Sequence, residues 1–271
     1  MKKILIVPNK NNIDMVLDMN ADGIILPIKG LSCNYDIYFD IDDIKKIINS
    51  TSMEICVVIN KIFHNKDLKL LESVLVSLNK LNISKIFFYD MAVINMCNRL
   101  NIKKDLVIYQ EHLNASDNSN VFYKKRGIKY SVISNDITID EINDISKDMS
   151  IILNSYGYLP IFYSRRYLVS NYLKYVGRDN NSDIYFINHN GKKYPIREEE
   201  EGCVIYTDRP INLINEIDNI NCDYVILNSF NVSNDEFYQV FNDYINHNVG
   251  SNNNYTGFLN KKTVYKVSDY E

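Results

Sequence analysis

Tyr163, Ser164, Arg165 and Arg166 stand consecutively in the chain, and Arg178 follows in a Gly-Arg-Asp turn. Arginine grips phosphate or carboxylate through two parallel donors and tyrosine stacks on a base or ring, so this pattern suits an anion site with an aromatic wall. Asp90 and Glu111 each follow a very apolar run, where a carboxylate is partly desolvated and its pKa is open to perturbation. Asn154 closes another such run, completing a candidate substrate-binding set of eight residues. The plainer reading is a Tyr/Arg-rich helix start whose arginines pair with Asp90 or Glu111. No histidine adjoins Ser164 in sequence to act as its base, so Ser164 reads as a hydrogen-bonding or capping residue and no catalytic residue is assigned.

These residues need elements that bring them together. Apolar strand-like runs occur near residues 3–7, 23–28, 54–59, 86–89, 106–109, 130–133, 151–153 and 224–227. Most are followed by a helical pattern. The clearest carries Leu71, Val74, Leu75, Leu78 and Leu81 as one stripe. Thr138 with Glu141, and Ser233 with Glu236, have capping-box spacing. Eight strand and helix alternations predict an α/β fold, a (β/α)8 TIM-like barrel, better than an open doubly wound sheet, and no glycine-rich phosphate loop follows the first strand. The alternation breaks at about 183–207, where Asn190-Gly191 between two strand patterns predicts a small β-hairpin insertion. A helix is expected over 212–218. A single barrel domain over 1–245, with a tail at 246–271 packing on or extending from it, is the expected organisation. In such a barrel chemistry sits at the C-terminal strand ends, here Asn9, Asn60, Asp90, Gln110 with Glu111, Asn135 with Asp136, Asn154 and Asn228.

The chain has 271 residues, 46% of them hydrophobic, and a net charge of −4, which gives no general attraction to nucleic acid. The local balance differs: between 160 and 197 lie Arg165, Arg166, Lys174, Arg178, Lys192, Lys193 and Arg197 against Asp179 and Asp183. A run of glutamates at 198–201 follows, and a solvated surface partly neutralised by them is the plain reading of this segment. Cys33, Cys56, Cys97, Cys203 and Cys222 show no paired spacing and read as buried thiols. No apolar run approaches the ~18 residues of a membrane span, so a soluble cytoplasmic protein without membrane association is expected.

The segment GYLPIFYSRRYLVSN at 157–171 resembles the signature of the peptidase U32 family, approximately G-A-L-C-x-x-Y-S-G-R-C-x-x-S. It matches without a gap at Gly157, Leu159, Tyr163, Ser164, Arg166, Leu168 and Ser170. The following Gly-Arg-Asp-Asn-Asn at 177–181 is similar to that family's G-R-D-A-N segment, as are a block at 127–142 and the tail TGFLNKKTVYKV at 256–267 to further family segments. The resemblance implies one of two functional classes. The family name records collagenase-like peptidases, whereas better understood members are oxygen-independent hydroxylation proteins acting on transfer RNA, ribosomal RNA or a quinone precursor. Those members hold a four-iron four-sulfur cluster on four cysteines, some draw on prephenate, and several work as pairs of related subunits. In this chain the cluster positions fall at Pro160, Tyr167, Tyr185 and His189, so no iron–sulfur cluster is expected. Arg166 and Arg178 match the family pattern and form the favoured anion-binding pair. The resemblance therefore implies a cluster-free member serving RNA modification beside a paralogous, cluster-bearing subunit, with RNA or a small anionic substrate bound at the barrel mouth. The alternative is an independent barrel hydrolase or peptidase acting on a small anionic or peptide substrate.

Overall fold

The computed structural model describes residues 2–250 and 255–261. Eight parallel strands form the frame. They are β1 (Lys3–Val7), β2 (Gly23–Pro27), β3 (Glu54–Ile59), β4 (Lys85–Phe88), β5 (Asp105–Tyr109), β6 (Tyr130–Ile133), β7 (Ser150–Gly157) and, after an insertion, β13 (Tyr224–Asn228). Each pairs with the next, β7 with both β6 and β13, and β13 with β1, so the sheet closes into a barrel. The strands are apolar at nearly every position because both faces are buried. Leu5, Val7, Ile25, Cys56, Val58, Phe87, Val107, Val132, Ile152 and Ile226 fill the interior, while Ile4, Ile6, Ile24, Val57 and Ile86 pack outward under the helices.

Those helices are α1 (Ile13–Asp18), α2 (Ile41–Ser50), α3 (Leu68–Asn79), α4 (Met91–Arg99), α5 (Asp117–Lys124) and α6 (Ile139–Ile145), with α8 (Asn234–Asn246) after β13. Leu71, Leu75 and Leu78 form the buried stripe of α3. The capping box at Thr138 and Glu141 forms as its spacing requires, and Ser233 caps α8 by accepting from the Glu236 amide. The residues at 255–261 pack back on the barrel: Leu259 is buried, and its carbonyl accepts from the Ile139 amide. The rest of the tail resemblance, at 262–267, lies outside the described residues. Among the described residues no helix is long and apolar enough to cross a membrane.

The insertion is larger than the hairpin its Asn-Gly turn announces. Asn190 and Gly191, both at positive φ, do turn β9 (Ile184–His189) into β10 (Lys192–Glu199). These strands extend a sheet that also contains β8 (Pro160–Ser164) and β11 (Gly202–Tyr206), in the order β8-β11-β10-β9, with α7 (Leu168–Tyr175) on one face. The stretch that reads as a helix start is thus a strand at 160–164, because β11 supplies the hydrogen-bonding partner for it. Gly202 makes that pairing close: at φ +135, its added Cβ would lie within van der Waals radii of the Ser164 carbonyl and Arg165 Cα. The helix expected over 212–218 is also replaced. β12 (Ile211–Asn212) adds antiparallel to β7, and a single 3-10 turn follows at Ile217–Asn219.

Candidate functional site at the barrel mouth

The loops after β2, β3, β4 and β5 and the insertion enclose a cavity of about 320 Å³ at the C-terminal end of the barrel. Cys33, Asn60, Tyr89 and Glu111 line its inner part; Lys61, His64, Lys66, Tyr163 and Arg165 line its walls and rim. Two tighter spaces adjoin it, one over the barrel axis among Tyr35, Tyr109, Asn154, Tyr156 and Tyr206, the other beside His112, Asp136 and Asn154. Glu111 lines all three.

Glu111 is the chemical centre of this mouth. It sits just past β5 with φ +44, a left-handed conformation that costs a non-glycine residue on the order of 1 kcal/mol or more and recurs at functional sites. Desolvation by the surrounding protein raises its carboxyl pKa above the ordinary glutamate value, outweighing the opposing charge effect of the neighbouring His112. The same surroundings, led by desolvation, push the Tyr35, Tyr89, Tyr109 and Tyr206 hydroxyls up, so all four stay protonated. Burial likewise raises the Cys33 thiol, which is held inert beside Asn60. Desolvation thus favours the protonated form of this carboxyl, set among neutral phenols and amides, and leaves it free to share a hydrogen bond with a ligand's polar atom.

The rim carries the positive charge. Arg165 Nη2 lies 3.0 Å from His64 Nε2, two residues that are 101 positions apart in the chain. The guanidinium has donors only, so the His64 ring nitrogen accepts from it and steers the remaining donors of Arg165. His64 is placed by its backbone amide, which donates to Asp67 at 2.9 Å. Tyr163 is fixed on the insertion side by its hydroxyl, which donates to the Glu201 carbonyl at 3.0 Å. The Glu201 carboxylate pairs with Lys61 at 2.6 Å, leaving Lys61 less available than Arg165.

The eight residues expected to bind substrate divide. Tyr163, Arg165 and Glu111 line the main cavity, and Asn154 lines the adjoining spaces, accepting at Oδ1 from the Tyr109 hydroxyl at 3.4 Å. Asp90 caps α4, accepting from the Ala92 amide at 2.8 Å, and also from the Phe63 amide at 3.0 Å, so it braces the loop that carries His64. Ser164 accepts from the Arg166 amide at 3.2 Å and stands in no pairing with a histidine. Arg166 and Arg178 are exposed on the insertion and do not line the cavity. None of the three arginines pairs with Asp90 or Glu111 among the described residues. His64, Lys61 and Tyr89 escaped sequence reasoning because only the fold brings them beside Arg165 and Glu111.

The glutamate run neutralises the basic segment only in part, through Glu199, which pairs with Arg197 Nε at 3.7 Å. Glu198 accepts from the Val169 and Ser170 amides at the start of α7. Glu199 accepts from the Tyr38 hydroxyl at 2.6 Å and the Asn34 amide at 2.9 Å, and Arg197 pairs with Asp36. Together these contacts clamp the insertion onto the loop after β2.

A second clamp lies at the opposite side of the mouth, where His112 Nδ1 meets Asp136 at 2.5 Å. The Asp136 hydrogen bond raises the His112 pKa against opposing desolvation, and the Pro160 backbone adds to the rise; hydrogen bonding to His112 lowers the pKa of Asp136. The histidine contribution is complete below its unfolded value of about 6.5 and fades as pH rises through the folded value; that of the aspartate is lost on acidification below about 3.8. His112→Ala is therefore expected to cost about 0.5–1 kcal/mol at pH 5.5 and much less at pH 9, the pair being about half exposed. Urea denaturation at the two pH values checks this, and an equal loss at both would exclude the protonated pair.

The four positions where the cluster would be held do not fit it. Pro160 has no donor, Tyr167 and Tyr185 offer phenols, and His189 lies at the far end of β9 from Tyr185. Tyr185 packs under α7 with Ile196 and Cys203. All five cysteines are buried free thiols, and Cys56, Cys97 and Cys222 lie away from these positions in the barrel wall and its helices. Among the described residues, no three His, Cys, Asp or Glu side chains converge to hold a metal ion.

Comparison with known proteins agrees with this architecture. A solved U32 peptidase superposes with a TM-score of 0.53 at 11% identity, over 84% of this chain and 92% of that one. Phosphoribosylanthranilate isomerase of Thermotoga maritima, as mutually generated monomers, superposes with a TM-score of 0.50 at 10% identity, over 91% and 100% of the two chains. At these identities the likeness concerns the fold. In sequence, a Bacillus subtilis (strain 168) protein named tRNA hydroxylation protein P2 is 24% identical over 193 residues, 67% of this chain and 62% of that protein. The chain thus spans less than two thirds of that relative's length. The family model for peptidase family U32 matches residues 9–232. This chain belongs to peptidase family U32.

Proposed function

We propose that the chain serves RNA modification as a cluster-free member of its family, binding one nucleotide of an RNA at the barrel mouth. The observation that carries this reading is the pairing of a desolvated carboxyl, Glu111, with a cation held by His64, Arg165, across one cavity of about 320 Å³. In the proposed pose Arg165 grips the phosphate, Tyr89 and Tyr163 flank the ring, and the Glu111 carboxyl hydrogen-bonds a polar edge of the base. The similarity to a protein named for tRNA hydroxylation supports the RNA class over a peptide. So does Ser164, whose hydroxyl accepts from the Arg166 amide and, among the described residues, hydrogen-bonds no histidine or carboxylate.

Without a fitting ligand set for the cluster, redox chemistry belongs to a partner. We place that chemistry on a cysteine-bearing relative and assign this chain the holding of the substrate. The test is ultraviolet cross-linking in the native host, followed by purification of the chain, sequencing of attached RNA and identification of attached peptides. A defined RNA cross-linked through Tyr89 or Tyr163 is expected. Recovery of the chain with no RNA, or with RNA attached only at the N-terminal end of the barrel, would overturn the reading.

A further inference from the structure

Helix α7 is apolar on two sides. Val169 and Leu173 face the insertion sheet and are buried, whereas Leu168, Tyr172, Tyr175 and Val176, at i, i+4, i+7 and i+8, face outward. A second apolar stripe turned outward in this way is normally covered. Here Tyr172 is 63% exposed and Tyr175 88%. Strand register adds one exposed aromatic beside α7. Phe162 pairs with Ile205, Ile205 with Ile196 and Ile196 with Tyr185, all on the α7 side of the sheet, and Phe162 is exposed at the β8 edge.

The charge around these aromatics identifies the occupant. Residues 160–193 hold six Lys and Arg against two Asp, a local excess of four positive charges in a chain whose net charge is −4. Arg166, Lys174 and Arg178 are exposed in and beside α7, whereas Lys193 and Phe186 alternate with Ile196 and Tyr185 and lie on the opposite face of the sheet. Three of the four glutamates that follow in sequence are turned away into the α7 cap and the barrel clamps. Aromatic faces interleaved with cations are the chemistry that holds single-stranded nucleic acid, the bases stacking and the backbone tracking the charge.

We infer that the outer face of the insertion is a platform for single-stranded RNA, with Tyr172 and Tyr175 as stacking surfaces and Lys174 and Arg178 as phosphate contacts. The inference rests on the proposed role in RNA modification and extends it: the platform holds the strand while the mouth takes one nucleotide. A protein partner would call for an apolar face with fewer cations, and a second copy would set the two basic faces against each other.

The test is fluorescence anisotropy with a labelled single-stranded RNA of about 15 nucleotides, the duplex of the same sequence, and free nucleoside monophosphates. The wild-type chain is expected to favour the single strand. Tyr172→Ala with Tyr175→Ala should weaken that binding about tenfold or more, while monophosphate binding at the mouth stays unchanged. Lys174→Gln with Arg178→Gln should make the salt slope shallower by about 1.4. Both tyrosines are exposed, so circular dichroism should show the variants folded. Unchanged single-strand affinity in the tyrosine variant would overturn the platform, as would equal affinity for the duplex. So would sedimentation showing self-association that those substitutions abolish. Loss of monophosphate binding alone would instead strike the mouth reading and leave the platform standing.

Discussion

Lys85→Met should destabilise the protein by roughly 3 kcal/mol, the cost of leaving a partly buried carboxylate without its cation. Lys85 is 2% exposed at the start of β4, on the end of the barrel opposite the mouth. Its ammonium pairs with Glu54, donates to the Tyr224 hydroxyl at 3.0 Å and lies over the Tyr130 and Tyr224 rings at 4.9 and 4.4 Å. Burial acts to lower the Lys85 pKa, yet the bonds to Glu54 and Tyr224 outweigh it and the group remains charged. Glu54 shows the mirror case: desolvation acts to raise its pKa, and Lys85, Ser84 and Tyr224 bring it below the ordinary value. The pair's contribution is therefore present above about pH 4.5 and lost as pH falls through the folded pKa of Glu54. A melting temperature lower by roughly 6–12 °C is expected at neutral pH. Adding Glu54→Leu should recover most of the loss, because an apolar pair can replace a buried ion pair. A single variant melting with the wild type would show that Glu54 finds compensation in Ser84 and Tyr224 alone. Nucleotide binding by the folded fraction should not change, since the pair lies across the barrel from Arg165.

The second large effect concerns the mouth. Arg165→Ala with His64→Ala is expected to lower affinity for a nucleoside monophosphate by about 10–100-fold, corresponding to one or two charge-assisted hydrogen bonds of about 1.5–3 kcal/mol each. His64→Ala alone should lose less, because the guanidinium stays while its steering partner goes. Titration calorimetry separates the two. Equal affinities for wild type and double variant would place phosphate recognition elsewhere. Both side chains are exposed and make few other contacts, so folding should survive.

The barrel was legible in the chain because closure buries both faces of every strand. Runs such as those in β3 and β4 have no polar alternation and stop at Asn60 and beyond Phe88, where the chain leaves the barrel for the loops that lead to α3 and α4. The insertion was half legible. Asn190-Gly191 demanded a tight turn, but the strand at 160–164 is dense in aromatic and arginine residues and owes its conformation to β11, which comes about 40 residues later. Asn212 followed the same logic, becoming a strand because the edge of β7 was open to it. Within the site, Glu111 was visible from the apolar run before it, and Arg165 and Tyr163 from their density. Asp90 had the same signature as Glu111, and its local role as a helix cap could be separated only by seeing the Ala92 and Phe63 amides. His64 carries no motif; its relation to Arg165 exists only because the β3 loop and the insertion meet over the mouth. The acidic run at 198–201 illustrates the same limit, since charges adjacent in sequence point to different partners once β10 is paired.

The measurement that bears most directly on the account is equilibrium titration of the purified chain with nucleoside monophosphates, with iron quantified in the same sample. Saturable binding that the Arg165 and His64 substitutions weaken, by protein carrying no appreciable iron, is the predicted result. Failure to bind any nucleotide, or iron present at cluster stoichiometry, would contradict it.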